Sequence, residues 1–271
     1  MVAPTTLATA LLLYFGYVAT RSRFEYFGVP LDMADLSNQE LVLYGLEVIY
    51  VPAALAFLSV LAVVAVHAAV TWLLSAAPGS QVNVFLEALI GLVGLLLVCR
   101  ALVGMLVAGT DGEFPGTTGM ALALGPAALA YAAWIFGKER ERPLIPRGLH
   151  RIGLACVAGL AVAGLFWAST EFAWAYGTGR GEEDAEDISK RIEIVLDIKE
   201  PLVGVPSGVT QTPLPTVGKD PAFSYRYRGF RILLTSGDRL FLVSGTWKHG
   251  AGQTIVVPHD DTIRIQLIPP P

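Results

Sequence analysis

The chain has 271 residues, of which 54% are hydrophobic and only 15% are charged, and its net charge is -4. A soluble domain carries about a quarter charged residues, so this composition excludes an ordinary water-soluble enzyme. No basic block is long enough to indicate nucleic acid binding. The apolar excess fills residues 1–176 and thins out afterwards, which predicts a membrane part followed by a polar tail.

Five stretches approach the roughly 20 apolar residues that a helix needs to cross a bilayer. We predict membrane spans over residues 4–20, 47–75, 82–108, 117–137 and 152–176. The first stretch also has the length of a signal peptide, but it begins without Lys or Arg and lacks a clear cleavage site, which favours a retained helix. Ser37 and Glu40 have the spacing of a capping box, which predicts a helix start ahead of the second span.

The charged loops predict one orientation of the spans in the membrane. Basic residues crowd the connection between the fourth and fifth spans, which places that connection in the cytoplasm; they are Lys138, Arg140, Arg142, Arg147 and Arg151. The N-terminus is then cytoplasmic, and the tail that follows the fifth span is extracytoplasmic. Arg21 and Arg23 lie in a loop that this orientation puts outside, and they are the one departure from the rule. We therefore predict a multi-pass protein of the cell (inner) membrane.

Few ionisable residues lie at membrane depth, where a charge is costly and usually has a partner. His67 and Glu87 lie at similar depth on the two helices of one hairpin, at a helical rise of about 1.5 Å per residue, and we expect them to meet. The pair is either a proton-accepting site, since His titrates near neutral pH, or a structural hydrogen bond that neutralises Glu87. Arg100 and Glu171 both fall near the outer interface, which predicts an ion pair, unless Arg100 extends to lipid headgroups without a partner.

Glycines and acidic residues mark residues 177–187 as a linker, either a plain spacer or a cation-responsive hinge. The hydrophobic period then changes to two, which predicts strands within residues 192–197, 223–227, 230–235, 240–243, 254–257 and 262–268. A hairpin turn is predicted at Ser236-Gly237-Asp238, and a long extended loop over residues 203–220. The predicted fold is a membrane all-α bundle of five transmembrane helices (1–176) followed by a small extracytoplasmic all-β domain (188–271), an antiparallel sandwich or barrel.

Aromatic and basic residues alternate along one predicted strand and form a candidate partner-binding strip: Tyr225, Arg226, Tyr227, Arg228 and Arg231. On a strand the arginines at 226 and 228 share one face, opposite the two tyrosines. An exposed strip of this kind binds a glycan, a lipid headgroup or an acidic partner. The ordinary alternative is that the aromatic rings pack inward while the arginines are solvated.

The sequence contains few signs of catalysis or metal binding. It has no Gly-x-Ser-x-Gly elbow, no His-Glu-x-x-His and no P-loop or Rossmann fingerprint. The polar tail has one metal-like group, whose spacing fits neither zinc nor an EF-hand: His249, His259, Asp260 and Asp261. We predict no catalytic residue, metal or cofactor.

The sequence favours an integral membrane protein that acts in binding or assembly at the cell envelope through its β domain. Its expected partners are the lipid bilayer and either another protein or further copies of itself. One alternative is an oligomeric channel or transporter that uses the intramembrane polar residues. A second alternative is a membrane enzyme acting at the outer leaflet.

Overall fold

The structure is a computed structural model that describes residues 2–76, 80–107, 112–139, 147–215 and 222–269. Residues 77–79, which belong to the turn between the second and third predicted spans, lie outside these ranges, as do Arg140 and Arg142 of the basic connection. The described helices are α1 (Val2–Glu25), α2 (Leu31–Ala34), α3 (Asn38–Ala76), α4 (Gln81–Leu106), α5 (Thr117–Glu139) and α6 (Arg147–Glu186).

Four of the described helices are long and apolar enough to cross a membrane: Asn38–Ala76, Gln81–Leu106, Thr117–Lys138 and Leu149–Glu186. They cover the second to fifth predicted spans. The prediction is thereby confirmed in its coarser form, a helical N-terminal region with four candidate membrane helices followed by an antiparallel β domain. The first predicted span lies within α1, which has 24 residues.

The chain packs as two compact units. One unit consists of Met1–Val48 together with Ala173–Pro271, and the other of Ile49–Phe172. Helices α3 and α6 each contribute residues to both units. The first helix thus packs in the same unit as the polar tail, a grouping that a scan of composition along the chain does not reveal.

The start of α3 is the predicted capping box. The backbone N–H of Ser37 donates to Oε2 of Glu40 at 2.8 Å, and the backbone N–H of Glu40 donates to Oγ of Ser37 at 3.3 Å. Two N–H groups that the first helical turn leaves without partners are satisfied in this way. The helix start predicted near Ser37 is confirmed.

The acidic segment predicted as a linker is helical, because α6 continues through Glu186. Two of its acidic residues, Glu183 and Asp184, have arginine partners. Arg180 pairs with Glu183 one turn away at 2.6 Å and with Glu47 of α3 at 3.5 Å. Asp184 has two arginine partners, which are described below. Pairs of this kind along a helix surface stabilise the helical form of the segment.

Glycines allow close helix packing inside each unit. In the first unit, Gly16 of α1 lies against the backbone of Leu41, and Gly177 of α6 lies against the backbone of Ala19. In the second unit, Gly94 of α4 lies against Leu129 of α5. A Cβ at these positions would overlap the neighbouring helix, so small residues set the distance between the helices.

The tail folds into an antiparallel sheet of six strands: β1 (Glu193–Ile198), β2 (Thr210–Pro213), β3 (Tyr225–Ser236), β4 (Arg239–Ser244), β5 (Thr254–Pro258) and β6 (Ile263–Ile268). The spatial order is β5-β4-β3-β1-β6, and β2 pairs with the first half of β3. Two of the predicted strands are merged in β3, which continues through Gly229 at a φ of 97°. Strand β2 lies in the segment predicted as an extended loop.

Each face of the sheet has a cluster of buried residues. One face holds eight buried residues: Ile194, Leu196, Ile198, Tyr227, Phe230, Leu240, Leu242 and Val257. The other face packs against the end of α1, the connection to α2 and α2 itself, and its buried residues are Phe24, Phe27, Val29, Leu31, Ala34, Ile188, Leu233, Phe241, Val243 and Trp247. We call this second set the loop-side core. It fixes the sheet onto the segment that leads out of α1.

Candidate functional site

His67, one of the predicted intramembrane residues, contacts two aromatic residues of α5. Its Nδ1 lies 2.9 Å from Oη of Tyr131, and its ring centroid lies 5.6 Å from that of Trp134. Tyr131 and Trp134 stack on each other at 5.5 Å. His67 therefore has a hydrogen-bond partner on another helix of its unit, and its pairing with Glu87 stays a prediction.

Arg100 and Glu171, the second predicted pair, have other partners in the structure. Arg100 forms an ion pair with Glu113 in the segment before α5. Glu171 accepts a hydrogen bond from the backbone N–H of Gly116 at 2.6 Å. Both contacts hold the segment that leads into α5, and this is a structural role for two of the few charges at the ends of these helices.

An aspartate and two arginines lie in register across three adjacent strands, and one of the arginines, Arg226, belongs to the candidate partner-binding strip. Asp197 of β1 is opposite Arg226 of β3 on one side and Arg264 of β6 on the other. Oδ1 of Asp197 accepts from Nε of Arg226 at 2.8 Å, and Oδ2 accepts from Nε of Arg264 at 3.0 Å. We call these three residues the charge row.

Asp197 is fully buried, while the side chains of Arg226 and Arg264 are 27% and 49% exposed to solvent. The hydrogen bond from Arg226 lowers the pKa of Asp197. Burial opposes this effect, and the hydrogen bond from Arg264 reinforces it. A buried carboxylate stays ionised only when such partners compensate for its lost hydration. The charge row is thus a permanently charged feature of the sheet at neutral pH.

The other members of the predicted strip differ in exposure. Tyr227 is fully buried, and its hydroxyl accepts a hydrogen bond from the backbone N–H of Leu202 at 2.9 Å. Arg231 pairs with the directly opposed Glu193 at 2.8 Å. Arg228 is exposed and Tyr225 is half-buried. A partner-binding role of the whole strip stays a prediction, since Tyr227, Arg226 and Arg231 already have protein partners.

A second arginine–aspartate group joins parts of the first unit that are far apart in sequence. Asp184 of α6 pairs with Arg23 of α1 and with Arg191 ahead of β1, each at 2.6 Å. Arg191 also donates to the backbone carbonyl of Leu233 in β3 at 3.2 Å. We call Arg23, Asp184 and Arg191 the Asp184 cluster. It neutralises Arg23, one of the two bases that depart from the predicted orientation.

The sheet carries an open cleft of about 430 Å³ between two loops. One wall is the β4–β5 connection at residues 244–253, and the other is residues 204–207 after β1. Oγ1 of Thr246 donates to the carbonyl of Ser207 at 3.0 Å and joins the two walls. Gly208 has a φ of 85°, and a side chain there would overlap Thr246, so glycine permits this close approach. A cleft of this size fits a small ligand or the end of a chain.

Trp247 forms the back of the cleft and belongs to the loop-side core. Its ring lies 4.6 Å from that of Phe27 and 6.0 Å from that of Tyr26, between centroids. The side chain of Thr254, at the end of the same connection, donates to the carbonyl of Phe27 at 2.7 Å. The segment after α1 therefore supports the cleft from behind and holds the indole in one place.

The predicted metal-like residues have separate roles in the structure. His249 stacks on Tyr26 at 4.2 Å between ring centroids, and its Nδ1 donates to the carbonyl of Tyr26 at 3.1 Å. Asp260 accepts from the backbone N–H of Thr262 at 2.9 Å. Within the described ranges, no group of three or more His, Cys, Asp and Glu residues is arranged to hold a metal ion.

Comparison of the chain with models of protein families, with curated proteins and with solved structures gave no match. The cleft was missed in the sequence because no motif marks it. One signal was present: Trp247 is the single tryptophan of the polar tail, and it stands in a connection that also contains Gly245, Gly250 and Gly252.

Proposed function

We propose that this protein is a five-span membrane protein that acts in binding at the cell envelope through its extracytoplasmic β domain. The single observation that carries the proposal is the cleft beside Trp247. It is a formed concave site with polar side chains at its rim and a fixed aromatic residue at its back. Such sites are where proteins bind ligands.

The five-span topology is supported by α1. Its apolar run, residues 4–20, has about 17 residues, which is the lower limit for a helix that crosses a membrane. The two bases that conflict with the orientation rule are both paired, Arg23 with Asp184 and Arg21 with Glu25. The positive-inside rule counts Lys and Arg rather than net charge, so the proposed orientation is supported by the basic connection between the fourth and fifth spans and not by these pairs.

Cysteine labelling tests the topology. In a background with both native cysteines replaced by Ala, we expect V203C to react with a membrane-impermeant maleimide in intact spheroplasts, because Val203 is 96% exposed. K138C, at the predicted inner end of α5, should react only after permeabilisation. Labelling of K138C but not V203C in intact spheroplasts would refute the orientation.

Native mass spectrometry of the full chain, extracted from its membrane in mild detergent, tests binding. We expect a bound species on the wild type that is lost in S207W, because Ser207 lines the cleft and a tryptophan there fills it. V203W is the matched control, since Val203 lies outside the cleft lining, and it should keep the species. A species that survives S207W, or a wild type that carries none, contradicts the proposal.

The alternative of an oligomeric channel or transporter uses His67, Glu87, Arg100 and Glu171. Of these, His67, Arg100 and Glu171 have protein hydrogen-bond partners in the second unit. Such contacts stabilise helix packing without any transport role. They support the binding proposal over the transport alternative.

A further inference from the structure

Strand β6 forms the least protected edge of the sheet. Among the residues that the structure describes, three strands pair with a single neighbour: β2 and β5, which end at Pro213 and Pro258, and β6. A short strand and a proline both limit pairing at a sheet edge, and β2 and β5 have only four and five residues. Strand β6 has six residues and no proline, so its edge is open to a further strand.

The register of β6 shows which of its backbone groups face outward. The carbonyl of Ile198 accepts from the backbone N–H of Ser224, so the polar groups of Ile198 point to the β3 side and away from β6. Ile198 is opposite Ile263, and the pairing of β1 with β6 is regular from there onward. Successive residues of a strand direct their N–H and C=O groups to opposite sides. The odd-numbered residues of β6 therefore direct these groups away from β1, and the N–H of Ile263 indeed donates to Asp260 in the preceding turn at 3.3 Å.

The side chains of β6 differ between its two faces. Ile263 and Ile265 pack against the buried cluster on one face of the sheet, and Leu267 follows them in the same row with 60% exposure. On the opposite face, Arg264 donates to Asp197 and is about half exposed. A strand added at this edge would therefore meet apolar side chains on one face and a guanidinium group on the other.

The charge row ends at β6 with one positive charge in excess, since it contains one carboxylate and two guanidinium groups. Nε and Nη2 of Arg264 donate to Asp197, and Nη1 has no acceptor within the described ranges. The position opposite Arg264 on an added strand is a non-hydrogen-bonded pair, in which the side chains are closest. Opposite charges at such a position stabilise the pairing. A carboxylate there would continue the alternation of the charge row and balance its charge.

A second copy of β6 does not supply this carboxylate. In an antiparallel pairing of two β6 strands, the outward-facing residues of both strands are the odd-numbered ones. Such a pairing places Gln266, Ile268 or a second Arg264 opposite Arg264, or else runs past the end of the strand. None of these residues is acidic, and two arginines in direct opposition destabilise the pairing. The charges therefore favour a strand from a different protein.

We propose that the free edge of β6 binds an extended segment of a partner protein as an added antiparallel strand, with Asp or Glu opposite Arg264 and apolar residues opposite Ile265 and Leu267. In strand addition the backbone hydrogen bonds provide affinity and the alternate side chains provide specificity. This edge shares no residue with the lining of the cleft beside Trp247. The inference goes beyond the proposed function and does not depend on it.

A peptide titration of the full chain in nanodiscs, followed by amide hydrogen exchange, tests the proposal. The probe is acetyl-Ser-Val-Thr-Val-Glu-Val-Ser-amide, which places its Glu opposite Arg264 when its first two valines are opposite Leu267 and Ile265. We expect saturable binding that protects the outward amides of Ile265 and Leu267 from exchange.

Two modified peptides are the matched controls for the probe. Replacement of its Glu by Gln should weaken binding at least about threefold, because the pair with Arg264 is lost. An N-methyl group on its second valine removes the N–H that bonds to the carbonyl of Ile265. This change should weaken binding at least about tenfold.

Two variants of the protein test the same edge from the other side. L267P and L267A both remove the leucine side chain, but only proline removes the outward N–H. Because this N–H does not bond to β1, proline leaves the pairing of β1 with β6 intact, and thermal unfolding of the two variants should agree. L267P should bind the probe at least about tenfold more weakly than L267A. S207W, which fills the cleft, should bind the probe like the wild type.

Each contrary outcome has a definite meaning. Absence of probe binding, or equal binding of the N-methyl peptide, overturns strand addition at β6 without reference to the variants. Equal binding of the Glu and Gln peptides overturns the acidic partner. Protection of Ile265 and Leu267 in the free protein that rises with its concentration identifies a second copy as the occupant and also overturns the inference. The proposed function is judged separately, by the native bound species and its loss in S207W.

Discussion

Two aspartates of the first unit are each held by two arginines, and their surroundings differ. Asp197 is fully buried in the charge row, and its arginines come from the strands on either side of β1. Asp184 keeps 15% of its exposure, and its arginines come from the end of α1 and from the segment before β1. The same pair of residue types therefore reinforces backbone pairing in one place and links separate elements in the other.

Burial decides how much each group should contribute. A charge taken fully out of water is costly, and breaking a buried pair by removing one partner costs about 3–5 kcal/mol because the remaining charge is uncompensated. Exposed pairs contribute about 0–1 kcal/mol, since water screens them and two side chains lose freedom. The charge row approaches the first case, and the Asp184 cluster lies between the two.

The largest expected effect is that of D197N. Asparagine keeps the shape but loses the charge, so two arginines face each other across β1 without a counter-charge. We expect the sheet to lose about 3 kcal/mol, near the lower limit for buried pairs because both arginine side chains keep contact with water. Native-state hydrogen exchange of the β1, β3 and β6 amides in detergent measures the loss.

D238N is the matched control for this substitution. Asp238 is exposed in the β3–β4 turn, and its backbone carbonyl accepts from His259, so its side chain is not needed for that bond. If D197N costs no more than D238N, the charge row does not stabilise the sheet.

Lowering the pH should destabilise the sheet of the wild type less than D197N does, because Asp197 loses its charge gradually as it is protonated. The pKa of Asp197 is lowered in the folded state, chiefly by the hydrogen bond from Arg226. Its stabilisation is therefore fully present above the unfolded pKa of about 3.9 and is lost as the pH falls through that value towards the folded pKa. Thermal unfolding of the sheet between about pH 6 and 3 should show this decline in the wild type and a shallower one in D197N. Parallel declines would assign the acid sensitivity to other carboxylates.

The two groups also show how far a sequence predicts structure. The helices follow from the length of the apolar runs, and the start of α3 follows from Ser37 and Glu40. The alternation of hydrophobic and polar residues places Asp197 on a strand, but its arginine partners are 29 and 67 residues away in sequence. No local sequence pattern gives the strand register that brings these three residues together. The strands can therefore be predicted from the sequence, but the charge row cannot.

The same limit applies to the cleft and to β3. The cleft needs the packing of Trp247 against Phe27, which is 220 residues away in sequence by their numbers. Strand β3 continues through Gly229 because antiparallel neighbours pair on both of its sides and a bulge accommodates the positive φ. A glycine read alone predicts a break at this position, which is why two strands were expected.

D184N should have an intermediate effect. It removes the carboxylate that Arg23 and Arg191 share, and we expect a loss of about 1 kcal/mol. The loss should appear in the hydrogen exchange of residues 24–34, since Arg23 precedes this segment of the loop-side core.

A double-mutant cycle of D184N with R23Q should give a loss smaller than the sum of the two single effects. D187N is the matched control, because Asp187 pairs with Lys190 in an exposed position. Additive effects of D184N and R23Q would show that the cluster does not act as one group.

The smallest effect should come from R21Q, which removes a pair with Glu25 one turn away on α1. Both side chains are about half exposed, at 51% and 55%, and the closest N–O distance is 3.6 Å. We expect a loss of no more than about 0.5 kcal/mol, which disappears in high salt because exposed charges are screened. Thermal unfolding of the wild type and R21Q at low and high salt measures it. If R21Q costs as much as D184N, exposure does not set the contribution of these arginines, and the contrast between the charge row and the Asp184 cluster must come from which elements they join.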